Sequence, residues 1–166
     1  MTATHPTAPG GGFRVSRVIG APPGAVWRAW SEPALVRAWW GPTGFTCPRA
    51  DLRFAEGAAS VVTMRAPDGT DFHNLWAYRL IRPYERIEFD SRFCDDEGSA
   101  VSPSDVGLPP AVPEVVPHVV TLTPLRRHRD AVGGRGVRLS AGPGAGDVTA
   151  GPGAVPGKPA AAVEER

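Results

Sequence analysis

Residues 21–42 read APPGAVWRAWSEPALVRAWWGP, and this stretch decides the architecture. Pro22-Pro23 sits where a first helical turn tolerates proline, because the missing N–H would have had no intrahelical partner there. Val26, Trp27 and Trp30 then recur on one side of a short helix. Ser31-Glu32-Pro33 is a second helix start, with Ser31 expected as its cap. Leu35, Val36, Trp39 and Trp40 form the apolar side of this second helix, which Gly41-Pro42 ends.

On either side of this helix pair the period changes from helical to alternating. Upstream, residues 13–19 set Phe13, Val15, Arg17 and Ile19 against Arg14, Ser16 and Val18, the pattern of a strand with one buried face. Downstream, residues 46–54 and 58–65 are candidate strands separated by the Glu56-Gly57 turn. Pro67-Asp68-Gly69-Thr70 is a hairpin turn, since Asp-Gly readily adopts positive backbone angles. Residues 71–81 follow as a long strand. After the Pro83-Tyr84-Glu85 turn, residues 86–93 alternate most cleanly: Ile87, Phe89, Ser91 and Phe93 against Arg86, Glu88, Asp90 and Arg92. A polar, proline-rich loop over 95–113 leads to a further strand over 115–123. Two helices followed by a run of antiparallel hairpins define an α+β plan.

The front and rear of the 166-residue chain differ in composition. All thirteen Phe, Trp and Tyr residues lie between Phe13 and Phe93, and the last isoleucine is Ile87. Residues 124–166 are dominated by Gly, Pro, Ala and Arg, with Val137-Arg138-Leu139 as one strand fragment and no helical apolar spacing. The expected division is a disordered N-terminal segment over 1–12, a domain over 13–123, and a tail over 124–166 that is disordered or translated out of frame. High-GC coding sequence read in a wrong frame gives this composition. Advanced by one nucleotide, the codons of Val155-Pro156-Gly157-Lys158-Pro159 permit Ser-Leu-Glu-Asn/Ser-Leu.

A net charge of +1 supplies no global field for nucleic acid or an anionic membrane. The basic run Arg126-Arg127-His128-Arg129 lacks interleaved aromatics and is followed at once by Asp130. No apolar run is long enough to span a bilayer, and residues 1–12 lack the charged and apolar regions of a signal peptide. The two cysteines, Cys47 and Cys94, have no metal or redox spacing and suit a reducing, cytoplasmic compartment.

The chain resembles the SRPBCC (START-like) superfamily, and within it the group similar to the activator of heat-shock-protein-90 ATPase. The resemblance rests on residues 21–30, then Glu32-Pro33, Trp39-Trp40-Gly41-Pro42, Gly44-Phe45-Thr46, Asp51-Leu52-Arg53 and Pro67-Asp68-Gly69. Tyr78-Arg79, Pro83-Tyr84-Glu85-Arg86-Ile87 and Glu97-Gly98 complete it. It implies a helix-grip fold for residues 13–123, in which a curved antiparallel sheet wraps a long C-terminal helix around a ligand cavity. That helix, with its Trp and Ser-Leu-x-x-Leu pattern, is absent from the sequence as written. Leu75-Trp76 and Ala58-Ala59 also depart from the family's usual residues.

The resemblance implies binding of an apolar or amphipathic small molecule without covalent chemistry. Its alternatives are a co-chaperone-like interaction with a chaperone ATPase, a cyclase- or hydrolase-type enzyme, and a non-functional truncated copy. Pockets are concave and mostly apolar, so alternation nominates Val62, Met64, Phe72, Trp76, Tyr78, Phe89, Phe93, His118 and Val120 as pocket residues. His73 and His118 are the titratable candidates, with Asn74 and Glu88 near in sequence, but no catalytic arrangement can be ordered from the residues. No cofactor or metal is implied. Asp95-Asp96-Glu97 reads as a solvated turn rather than a calcium loop. Without the covering helix, several hundred Å² of apolar sheet left open would forfeit on the order of 10 kcal/mol at about 25 cal/mol per Å². Self-association through that face is the expected consequence.

Overall fold

The computed structural model describes residues 15–125 and 137–142, with side chains described over 18–125. Strand β1 (Val15–Ile19) leads into helices α1 (Pro23–Ser31) and α2 (Pro33–Trp39). Six strands follow: β2 (Thr46–Asp51), β3 (Ala59–Arg65), β4 (Asp71–Arg82), β5 (Arg86–Cys94), β6 (Val116–Pro124) and β7 (Val137–Gly142). They form one antiparallel sheet in the order β1-β7-β6-β5-β4-β3-β2, curled as a half-barrel. The fold is the α+β helix-grip arrangement that the sequence implies.

Proline sets the break between the helices. Pro33 disfavours helical angles at the residue before it, and Glu32 is extended (φ −103°, ψ 125°), closing α1 and opening α2. Ser31 is therefore not the cap of α2, as the sequence suggested. It is the last residue of α1, and its hydroxyl donates to the Trp27 carbonyl at 3.1 Å. The two helices are locked by a buried hydrogen bond, Trp39 Nε1–H to the Ala29 carbonyl at 2.7 Å, and by the Trp30–Trp39 ring contact at 4.6 Å.

The hairpins follow the predicted turns. Gly69 has φ +90°, and the Asp68 carboxylate accepts from the Thr70 N–H at 2.9 Å. Tyr84 is the one non-glycine described with positive φ (63°); it lies in the β4–β5 turn, and its ring meets Trp27 of α1 at 5.6 Å. A register shift in β4 between Tyr78 and Leu80 reverses the alternation. It pairs Leu80 with Glu88 on the outer face and turns Ile81, opposite Ile87, towards the core.

The fragment read at Val137-Arg138-Leu139 is β7. It pairs with β6 through Pro124↔Val137 to Val119↔Gly142, and with β1 through Val15↔Ala141 to Ile19↔Val137. The sheet thus extends past residue 123, where the sequence reading ended the domain. An alternating Val-Arg-Leu-Ser needs no aromatic residue to fill a gap between two strand edges that both offer backbone partners. The disordered or out-of-frame readings of 126–136 and 143–166, like the reading of 1–12, fall outside the described residues.

Trp39→Phe removes the inter-helix hydrogen bond and part of a fully buried side chain. We expect a loss of about 2–4 kcal/mol in urea denaturation, combining an unsatisfied carbonyl with a cavity. A loss below about 0.5 kcal/mol would show that the helix pair does not depend on this contact.

Candidate functional site

The inner face of the sheet is defined by register. Met64 pairs with Phe72, Val62 with Asn74, and Asn74 with Phe93. Further along, Ser60, Trp76 and Ser91 form one row, Tyr78, Phe89 and His118 the next, and Ile87 pairs with Val120. Cross-strand partners share a face, so all nine residues nominated from alternation lie on one side of the sheet. Trp76 and Phe89 are fully buried, and Val62, Met64, Tyr78, Phe93 and Val120 are also buried. Phe72 and His118 are half-buried.

The helix pair lies against this same side. Trp40 meets Trp76 edge-on at 4.6 Å and 78°, and Trp30 meets Phe89 at 6.3 Å. Trp76 is tilted on Phe89 at 4.8 Å, and Phe89 stacks on the His118 imidazole at 4.6 Å and 9°. These contacts bury Trp76 and Phe89 within the monomer, so the wide-open apolar face expected from the sequence is not seen at these positions. The sequence reading placed Trp30 and Trp40 only as helix-core residues. Their part in this face follows from how the helix pair folds onto the sheet, which spacing alone does not encode.

The face carries polar atoms that the protein does not satisfy. Trp30 Nε1, Trp40 Nε1, Trp76 Nε1, Asn74 Oδ1 and His118 Nε2 are buried with no hydrogen-bond partner. Asn74 Nδ2 donates to the Phe72 carbonyl at 3.2 Å, leaving the side-chain oxygen alone. Buried polar groups in folded proteins are overwhelmingly paired, and each exception costs about 1–3 kcal/mol. Tyr78, by contrast, is satisfied: Ser60 Oγ donates to its hydroxyl at 3.2 Å, and burial pushes the phenol up to about 12.

The two histidines do not form a common site. His73, with Nδ1 2.8 Å from Thr63 Oγ1, pairs with Thr63 and Cys94 on the outer face, opposite to His118. Glu88 is on that outer face too, held by Arg86 at 2.6 Å and Arg79 at 3.8 Å. An acid–base pair of His73 with Asn74 is ruled out by alternation, which sends their side chains to opposite faces. Burial raises the thiols of Cys47 and Cys94 to about 11, far from reactive thiolates. Asp95 Oδ1 accepts from the N–H groups of Glu97 and Ser99, so its carboxylate organises a turn. Among the described residues no cluster of three or more His, Cys, Asp or Glu could hold a metal, and no helix is long and apolar enough to cross a membrane. The basic run at 126–129 lies outside the described residues.

Residues 20–134 match the model of the family described as activator of Hsp90 ATPase homolog 1-like protein. The chain belongs to that family. A search of curated proteins found no match. Among solved structures, a protein from Nitrosomonas europaea is similar at 19% identity, with 81% of this chain and 75% of that chain covered and a TM-score of 0.62. A protein from Chromobacterium violaceum is similar at 24% identity, with 82% of each chain covered and a TM-score of 0.59. The AHSA1 protein from Silicibacter pomeroyi is similar at 18% identity, with 79% and 78% covered and a TM-score of 0.55. These likenesses establish the fold.

His118 gives the face a pH signature. Desolvation by burial lowers its imidazole from 6.5 to about 4. Between those values the unfolded chain binds a proton that the folded chain refuses, so stability falls as pH drops below about 6.5 and levels off near 4. At 1.36 kcal/mol per unit the loss is about 3 kcal/mol. Urea denaturation at pH 7.5, 5.5 and 4.5 should show it in the wild type and a correspondingly smaller loss in His118→Phe. Identical pH dependence in both proteins would mean that the imidazole is not buried neutral.

Proposed function

We propose that the inner face of the sheet binds a small apolar or amphipathic molecule by non-covalent contacts. The observation that carries this reading is the coincidence of an aromatic-lined face with five buried polar atoms that lack partners. Ligand sites are mostly apolar with a few polar groups that fix orientation, and that is the composition of this face. Membership of the family supports the same general role. Two free buried thiols, Cys47 and Cys94, support a cytoplasmic setting.

The family description names activation of a chaperone ATPase, which is the property of the proteins it was named for. For this chain a chaperone interaction is the second reading, supported by that description alone.

Titration with the fluorescent probe N-phenyl-1-naphthylamine tests the first reading. We expect saturable binding of one probe per chain and a rise in melting temperature, since ligand at a hundredfold excess over Kd stabilises by about 2.7 kcal/mol. Binding that never saturates, or probe signal that grows with self-association of the chain, would remove the basis for a defined pocket.

A further inference from the structure

The chemistry of the unpartnered atoms restricts the ligand further. An indole N–H only donates, so Trp30, Trp40 and Trp76 present three donors. Asn74 Oδ1 presents one acceptor, and His118 Nε2 donates or accepts according to its tautomer. The excess is of donors, and the missing complement is an oxygen acceptor.

Charge narrows the choice between neutral and anionic acceptors. Register sends Arg79, Arg92, Glu88 and Asp90 to the outer face, where Arg79 pairs with Asp90 at 3.2 Å. The inward rows of β3 to β6 hold no Lys, Arg, Asp or Glu. The one inward titratable base, His118, is uncharged near neutral pH because burial disfavours the imidazolium. On the helices, Arg28 is exposed and paired with Glu32 at 2.6 Å, and Arg37 is exposed. A carboxylate entering this face would shed its water and meet no countercharge, which is unfavourable.

Shape points the same way. Trp40, Trp76, Phe89 and His118 form a continuous run of ring contacts between 4.6 and 4.8 Å. A planar ring can replace one of these contacts with another of the same kind. The five atoms are closed to solvent, so binding must part some of these rings, exchanging an unpaired N–H for an N–H···O bond.

We propose that the inner face selects a neutral aromatic molecule bearing an oxygen acceptor, such as an aryl ketone, over the matching carboxylate or hydrocarbon. The proposal rests on the ligand-binding reading above and adds its chemical class.

Displacement of N-phenyl-1-naphthylamine from the full chain at pH 7.5 by three matched naphthalenes tests it: 2-acetylnaphthalene, 2-naphthoate and 2-ethylnaphthalene. The ketone should displace the probe about ten-fold more effectively than either of the others, the scale of one good hydrogen bond. Trp40→Phe, which keeps an aromatic ring and removes one donor, should narrow the ketone-to-hydrocarbon ratio while leaving hydrocarbon binding in place. Equal displacement by the hydrocarbon, or stronger displacement by naphthoate, overturns the proposal. So does failure of all three to displace a probe that binds, and in that case the general ligand-binding reading survives. Failure of the probe itself to bind overturns both.

Discussion

The fold depends on how a pair of short helices is fastened to a curled sheet, and tryptophan does the fastening. Helices of nine and seven residues are too short to be stable alone in water. The Trp39 indole ties the second helix to the Ala29 carbonyl of the first, and Trp40 and Trp30 then carry the pair onto Trp76 and Phe89. All five tryptophans are buried, and they supply much of the helix–sheet contact. Large rings suit this role because each buries a wide area while fixing few rotatable bonds.

The same rings create the functional candidate. An indole brings an N–H wherever it brings apolar area, and only Trp39, among the tryptophans lining this face, finds a carbonyl within reach. The others leave donors buried beside an imidazole and an amide that are equally unsatisfied. A purely structural core would gain from leucine or phenylalanine at such positions, since those carry nothing to satisfy. The unpaired atoms therefore distinguish this face from ordinary packing. The outer face shows the opposite economy, with Arg79, Arg86, Glu88 and Asp90 pairing among themselves at the surface, where such bridges contribute little.

Much of this was legible from residues alone, for specific reasons. Strand alternation has a period of two, so once Phe89 is inward its neighbours in register follow, and the nominated pocket residues fall on one face. Asp68-Gly69 fixed its hairpin because few residues take the required angles. Glu32-Pro33 located the helix break, although Ser31 was assigned to the wrong helix: a serine before an acidic residue and a proline looks like a cap, yet here its hydroxyl bonds back to Trp27. The irregularity after Tyr78 was not legible, because a bulge leaves no compositional mark and still moves Ile81 inward. The partners of Trp30 and Trp40 were not legible either, since they depend on where the helix pair lands. Strand β7 was visible only as a fragment, because its backbone pairing with β1 and β6 is a long-range property.

That last pairing has a kinetic meaning. The first strand described, β1, has the last one described, β7, as its neighbour in the sheet, and no other strand. Hairpins β2 to β5 can zip locally as soon as they exist, but β1 must wait for a partner supplied near the opposite end of the chain. Closing so large a loop before any contact rewards it slows folding. During synthesis β1 emerges early and remains an unpaired edge while the rest of the sheet is made, the period in which such a chain is most exposed to capture or aggregation.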